Sequence, residues 1–291
     1  MADISAADVK KLREKTGAGM MECKNALVSS DGDFAKAEKL LKEKGLAALE
    51  QRAGRATNNG KIFVKMKNDC CASCSSCAAL VELNAETDFV ARNPEFIALG
   101  ETIAAKALEG GLDAPTDELK GLVQDLATKI RENMGLKRLT LVKASPNEYL
   151  AQYIRGDGNI GVVVKCESGS GEIFKNNEVK DFIFTLALHI AAFNPKALDR
   201  SKIDQTWLKE QEGIFRVQMD KDEKLQGKPE KVLEGILAGK VNKFLSDICM
   251  MEQGYVKDEK LTVAKAIEEC VKKAGAKFTV SDYVYYKVGA E

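Results

Sequence analysis

The sequence predicts an α+β fold, and three observations carry that reading. Residues 60–67 alternate Ile62, Val64 and Met66 against Lys61, Lys65 and Lys67, the period of a strand with one buried face. Several other segments carry helix caps and apolar residues at three- and four-residue steps. The order hairpin, two helices, strand then runs twice along the chain, as an internal duplication would. Together these divide the 291 residues into a helical N-terminal module at 1–56, a first core half at 57–145 and a second at 146–291, with an inserted antiparallel helical hairpin at 199–248.

The module reads as three short helices. Ser5 caps the first and Asp8 stands where it can answer the cap, while Val9 and Leu12 share a face. Thr16-Gly17-Ala18-Gly19 breaks that helix. A second follows at 20–28 with Cys23, Ala26 and Leu27 inward. Phe34, Ala37, Leu40 and Leu41 mark a third, with Gly45 at its expected end. Three short helices with a glycine-rich first turn resemble a ubiquitin-associated module. Residues 48–60 read as a linker.

In the first core half, 79–83 is the expected partner of strand 60–67. Helices follow at 94–108 and 117–133, and a strand near 137–143. The second half opens with strands at 149–155 and 160–166, turned by Gly156-Asp157-Gly158-Asn159. Its helices fall at 178–193 and 263–274, and strand 277–288 closes it. Between those helices, 199–225 and 230–248 are charged and helix-prone, joined by Gln226-Gly227-Lys228-Pro229. Ile203, Trp207, Ile214 and Val217 space out like a loose coiled-coil seam, interrupted at Glu210 and Lys221. A projecting hairpin follows, either a solvated strut or a contact surface, and a candidate for homodimerisation.

Composition bounds the function. Forty-four basic and 44 acidic residues balance, so no global basic field exists to neutralise a phosphate backbone, and a nucleic-acid partner is not expected. No apolar run of about 18 residues suggests a membrane span. The first residues lack an apolar signal core, which predicts a cytoplasmic protein. The single histidine, His189, lies on a strongly apolar helix and is not read as an acid–base group, and it leaves too few imidazoles for most zinc-enzyme arrangements. Thr16-Gly17-Ala18-Gly19 is no phosphate loop: it lacks the Gly-Lys-Ser/Thr ending and follows a helix. Direct nucleotide binding is therefore not expected, nor is any cofactor.

Two segments carry the functional signal. The first is residues 82–93, ELNAETDFVARN, where Asp88 and Phe89 fall in a short strand-to-helix connection, with Asn93 and Pro94 suited to start the next helix. Connections run over the surface. A carboxylate beside a large ring there can push between another protein's side chains, or the ring can fold back onto its own helix. The second is residues 12–27, LREKTGAGMMECKNAL. Together, in this order and about seventy residues apart, they resemble translation elongation factor Ts, the guanine-nucleotide exchange factor of elongation factor Tu. Weaker similarity runs through 153–164, 188–195 and 240–263, so the resemblance covers nearly the whole chain.

The resemblance implies a non-enzymatic factor whose partner is elongation factor Tu. Thr87, Asp88, Phe89 and Val90 would disturb the partner's Mg²⁺ site, with Asp88 and Phe89 as the intruding pair. Leu12, Met20 and Met21 would anchor the module, although they also suit its core. Ile160 would touch the G domain, or simply start a buried strand. His189 would face another domain of the partner from Leu-His-Ile-Ala-Ala-x-x-Pro, or sit buried and satisfied. Two departures affect local polar contacts: Asn159 stands where the family usually has Arg, and Arg155 where it often has His. With Glu291 soon after the closing strand, the sequence is expected to lack a further C-terminal helix that some members carry.

Eight cysteines divide into two groups. Cys23, Cys166, Cys249 and Cys270 lie in apolar-patterned elements and read as small core residues. Cys70, Cys71, Cys74 and Cys77 cluster where the family usually has a short hairpin tip. Two C-x-x-C steps allow zinc, an iron–sulfur cluster or redox chemistry. The alternative is an exposed loop of small residues. A thiol-based metal or redox protein is thus the rival reading, separable by bound metal per chain. An RNA- or ribosome-binding protein is a third, marked by affinity that falls steeply with salt.

Overall fold

The computed structural model describes residues 4–71 and 74–290, with the side chains of 46–50 and 69–71 outside that description. Its element types follow the sequence reading closely. Helices α1 (Ala6–Thr16), α2 (Met20–Ser29) and α3 (Phe34–Glu50) enclose a small core of Val9, Leu12, Cys23, Ala26, Leu27, Ala37 and Leu41. The Ser5 and Asp8 capping box is present, with the Asp8 N–H donating to Ser5 Oγ at 3.1 Å.

One boundary differs for a physical reason. Gly45 does not end α3; the helix runs on to Glu50. A Cβ at Gly45 would lie 2.2 Å from Thr128 Cγ2 on α6 (Asp117–Ile130). This glycine is where two helices cross closely, and it is not a helix end. Lys42 pairs with Asp125 at 2.9 Å beside the crossing.

Two three-stranded antiparallel sheets form the body. The first has the order β1 (Asn59–Cys71), β2 (Cys74–Ala85), β3 (Met134–Ala144), and the second β4 (Glu148–Arg155), β5 (Ile160–Ser168), β8 (Phe278–Lys287). Strand order and sense are the same in both. In each, a hairpin is followed by helices and then by a strand that pairs with the hairpin's second strand.

The sheets pack face to face through Ile62, Ala78, Leu80, Leu150, Val163 and Tyr286. Contact is close enough that a Cβ on Gly161 would stand 2.4 Å from Ile62 Cγ2. The outer face of the first sheet is covered by α5 (Pro94–Gly110) and α6, around Phe63, Phe96, Ile103 and Leu119. That of the second is covered by α7 (Asn177–Phe193) and α10 (Val263–Ala274). Both sides of β2 and β5 are therefore buried, which explains their nearly continuous apolar sequence.

Helices α8 (Gln205–Asp220) and α9 (Glu230–Ile248) form the hairpin. Trp207, Phe215 and Phe244 pack across it, and Met219 and Leu237 are buried. The expected seam is half right. Ile203 and Trp207 pack at the base, whereas Ile214 and Val217 are 49% and 54% exposed, because the inward stripe passes instead through Phe215 and Met219. Arg200 grips the Glu252 carboxylate with two hydrogen bonds of 2.6 and 2.7 Å and donates to Asn242, closing the base. A small hairpin that the sequence reading missed, β6 (Gly254–Tyr255) and β7 (Asp258–Thr262), leads into α10.

The cysteine segment is not an exposed loop. β1 extends to Cys71 and β2 starts at Cys74, so the cluster sits on the tip of a long hairpin. Ser76 and Cys77 are buried, and Ser75 Oγ donates to the Ser145 carbonyl at 2.7 Å. Cys74 and Cys77 are disulfide-bonded. A four-thiolate metal site needs all four sulfurs reduced, and that set is not what the structure presents. No helix among the described residues is long and apolar enough to cross a membrane.

Candidate functional site

Phe89 stands on α4 (Asp88–Ala91), a single helical turn between β2 and α5. Thr87 caps the turn by accepting the Val90 N–H at 3.3 Å. Val90 and Ala91 point into the core of the first half. Successive side chains on a helical turn diverge, so anchoring Val90 and Ala91 inward leaves Phe89 outward, at 81% exposure. Asp88 is also exposed and pairs with Arg92 at 3.7 Å. No other large apolar side chain among the described residues is as exposed as Phe89.

The turn is held by residues that the sequence reading did not single out. The Thr87 hydroxyl donates to the Glu132 carboxylate at 2.9 Å, and the Thr87 N–H donates to it at 3.2 Å. Glu86 accepts from the Asn133 N–H at 2.6 Å and pairs with Arg55 at 3.3 Å. The Asn133 N–H, then the Arg55 guanidinium, hold the Glu86 carboxyl below its ordinary range. Asn59 donates to the Glu86 carbonyl at 2.7 Å. The 86–87 backbone is thus clamped between the end of α6 and the linker. Glu132 lies 45 residues from Thr87, and no local motif announces such a pair.

The same end of α6 holds the module. Glu22 pairs with Arg131 and accepts the Gly19 N–H at 2.8 Å, fixing the start of α2. That start carries Met20 and Met21, 44% and 66% exposed. Arg131 and Glu132 therefore tie the methionines and the Phe89 turn to one helix end. Leu12 is different: it is fully buried in the module core, so it shapes the module from within.

Ile160 opens β5, is partly buried and packs toward the second-half core. The turn before it docks on the first sheet, where the Ile62 N–H donates to the Gly158 carbonyl at 2.7 Å. A shallow groove results, and its lining brings together Asp88, Arg92, Asp157, Asn159, Lys61 and Lys287. Asp88 and the Ile160 turn thus share one face.

His189 lies in α7 and is fully buried. Gln253 donates its amide to the Asp247 carbonyl at 2.7 Å, which turns Gln253 Oε1 toward the imidazole. His189 Nε2 therefore carries the proton and donates at 3.0 Å, while Nδ1 has no partner among the described residues. Burial pushes its pKa down, with the Gln253 bond partly opposing. The ring stacks on Phe193 at 4.7 Å, and Phe193 and Phe184 are 44% and 46% exposed. These two rings, not His189, are the exposed large apolar side chains of that helix.

Comparison with known proteins decides the family. The sequence model of the family Elongation factor TS matches residues 86–290. The chain belongs to the elongation factor Ts family. Over 287 residues it is 47% identical to Elongation factor Ts of Treponema denticola, covering 99% of both chains. Identity is 42% over 293 residues to the Treponema pallidum protein of that name, covering 99% of this chain and 100% of that one. For Borreliella burgdorferi the figure is 37% over 290 residues, again covering 99% and 100%. Membership places the chain in translation elongation, within protein biosynthesis.

Proposed function

We propose that this chain is a guanine-nucleotide exchange factor that binds elongation factor Tu carrying GDP and drives the nucleotide out. No covalent chemistry is needed. A GTPase holds its nucleotide through a phosphate loop and Mg²⁺. A protein that prefers the empty form weakens nucleotide binding by the same factor, since linkage is reciprocal. What such a factor needs is an anchor and a wedge.

The observation that carries this reading is Phe89, 81% exposed on a turn pinned on both flanks. A rigidly presented ring loses little conformational freedom on docking, so more of its contact energy is available to displace the partner's side chains. Phe89 inserts, and Asp88 acts beside the Mg²⁺ site; Thr87 and Val90 hold the pair in place. Met20 and Met21 supply adaptable contacts from the module. Ile160 supports the groove edge. His189 acts on a more distant domain by positioning Phe193. On this reading the module (1–56) and first half (57–145) hold the G domain, while the second half (146–291) reaches another domain.

Release of a fluorescent GDP analogue from the partner tests this. Acceleration by the wild type, blunted in Phe89→Ala, supports both function and wedge. Equal acceleration by the two moves the wedge elsewhere, and no acceleration by the wild type sinks the reading.

A further inference from the structure

A second cleft lies between the module and α6. It encloses about 370 Å³, within the range of small-ligand sites. Thr16, Ala18, Leu41 and Gly45 line it together with charged side chains. Each of the three acids among them already has a cation. Glu38 pairs with Lys15 at 2.6 Å, Asp125 with Lys42 at 2.9 Å, and Glu22 with Arg131. Lys129 pairs outward with Glu95 at 2.6 Å. Lys44 and Arg52 also line the cleft; among the described residues neither lies within ion-pair distance of an acid, although Lys44 acts through space on the Glu22 carboxyl and Arg52 on that of Glu86.

The chain as a whole is charge-balanced, so this local excess is not a reflection of composition. Six cations and three acids line the cleft, and an anion offsets that surplus of positive charge. A cleft of this size holds more than one phosphate group, and three more cations than acids in its lining call for more than one negative charge.

We propose that this cleft binds a diphosphate group, clamped by Lys44 and Arg52 on the module's side of the cleft. The inference is independent of the exchange reading, since the cleft and the Phe89 face share no proposed contact residue. Bound ligand stabilises the folded form by mass action.

The test is calorimetric titration of the full chain with inorganic pyrophosphate, at low ionic strength and without divalent metal. The expected result is one saturable site per chain, with a raised melting temperature. Lys44→Ser with Arg52→Ser weakens it at least tenfold. Asp125→Asn, which frees Lys42, tightens it several-fold. Lys228→Ser with Lys231→Ser, at the far end of the hairpin, leaves it unchanged. A parallel titration with adenosine diphosphate separates sources: equal affinity assigns the site to the diphosphate alone, and tighter binding to a nucleoside diphosphate. No saturation at millimolar pyrophosphate overturns the proposal, as does an equal loss in the hairpin variant.

Discussion

The two halves of the core place an aromatic ring in the same connection and point it in opposite directions. Between β2 and α5 that ring is Phe89, 81% exposed; between β5 and α7 it is Phe174, 6% exposed. Phe174 stacks on Tyr149 at 5.6 Å and meets Phe278 at 6.4 Å. In the first half the inward positions of the connection are filled by Val90 and Ala91. The shared topology does not require an exposed ring, and the second half shows how it buries one. Exposure at Phe89 is a local property, set by a capped turn whose other residues already satisfy the core.

This contrast can be broken from either side. The largest effect belongs to Phe174→Ala, which should cost about 3–5 kcal/mol of folding stability, read by urea denaturation. Phe89→Ala should leave the urea midpoint within about 0.5 kcal/mol of wild type. It should instead slow partner-stimulated GDP release by tenfold or more, as loss of an aromatic hot spot worth about 2 kcal/mol does. A marked loss of stability in Phe89→Ala would mean that the ring packs on its own chain, and the contrast would dissolve.

Smaller changes sharpen it. Gly161→Ala forces a Cβ against Ile62 where the two sheets meet, and should destabilise by about 1–3 kcal/mol. A neutral result would show that the sheets part easily. Glu132→Gln removes the charge from the two hydrogen bonds to Thr87, at an expected cost of about 1 kcal/mol. It should also slow exchange several-fold while Phe89 itself is untouched. Unchanged exchange would show that the turn needs no clamp.

The smallest effect concerns His189 and pH. Its pKa is lowered in the folded chain, so the unfolded chain takes up the proton first as pH falls. The neutral, buried form contributes stability fully above the ordinary value of about 6.5, and that contribution is lost as pH drops below it toward the folded pKa. The urea midpoint should therefore fall below about pH 6.5, and less steeply in His189→Gln. Equal slopes would assign the fall to carboxylates.

Much of this was legible in the sequence because it rests on local chemistry. The Ser5 cap, the Asn93-Pro94 helix start and the lysine alternation along β1 each act over a few residues, and each element lies where those signals put it. The misreadings share a different cause. Gly45 carries the signature of a helix end, but a crossing helix 83 residues further on demands its missing side chain. Small cysteines and serines imitate a loop, although strand pairing extends beneath them, with Cys71 opposite Cys74. Ile214 and Val217 match a seam by spacing, while the ring contact to Phe244 selects Phe215. Glu132 could be found only in three dimensions.

The hairpin base has one more implication. The chain leaves the body at Ala197 and returns at Cys249, and those two residues bridge one another side by side. Topologically, everything between them is a detachable arm. A short graft across that gap should delete the arm without rethreading either sheet. A reporter placed at Gly227 would ride at its far end, in the turn between α8 and α9. The body can thus be rebuilt armless, lengthened or labelled, making the arm a handle through which the rest of the molecule can be held and watched.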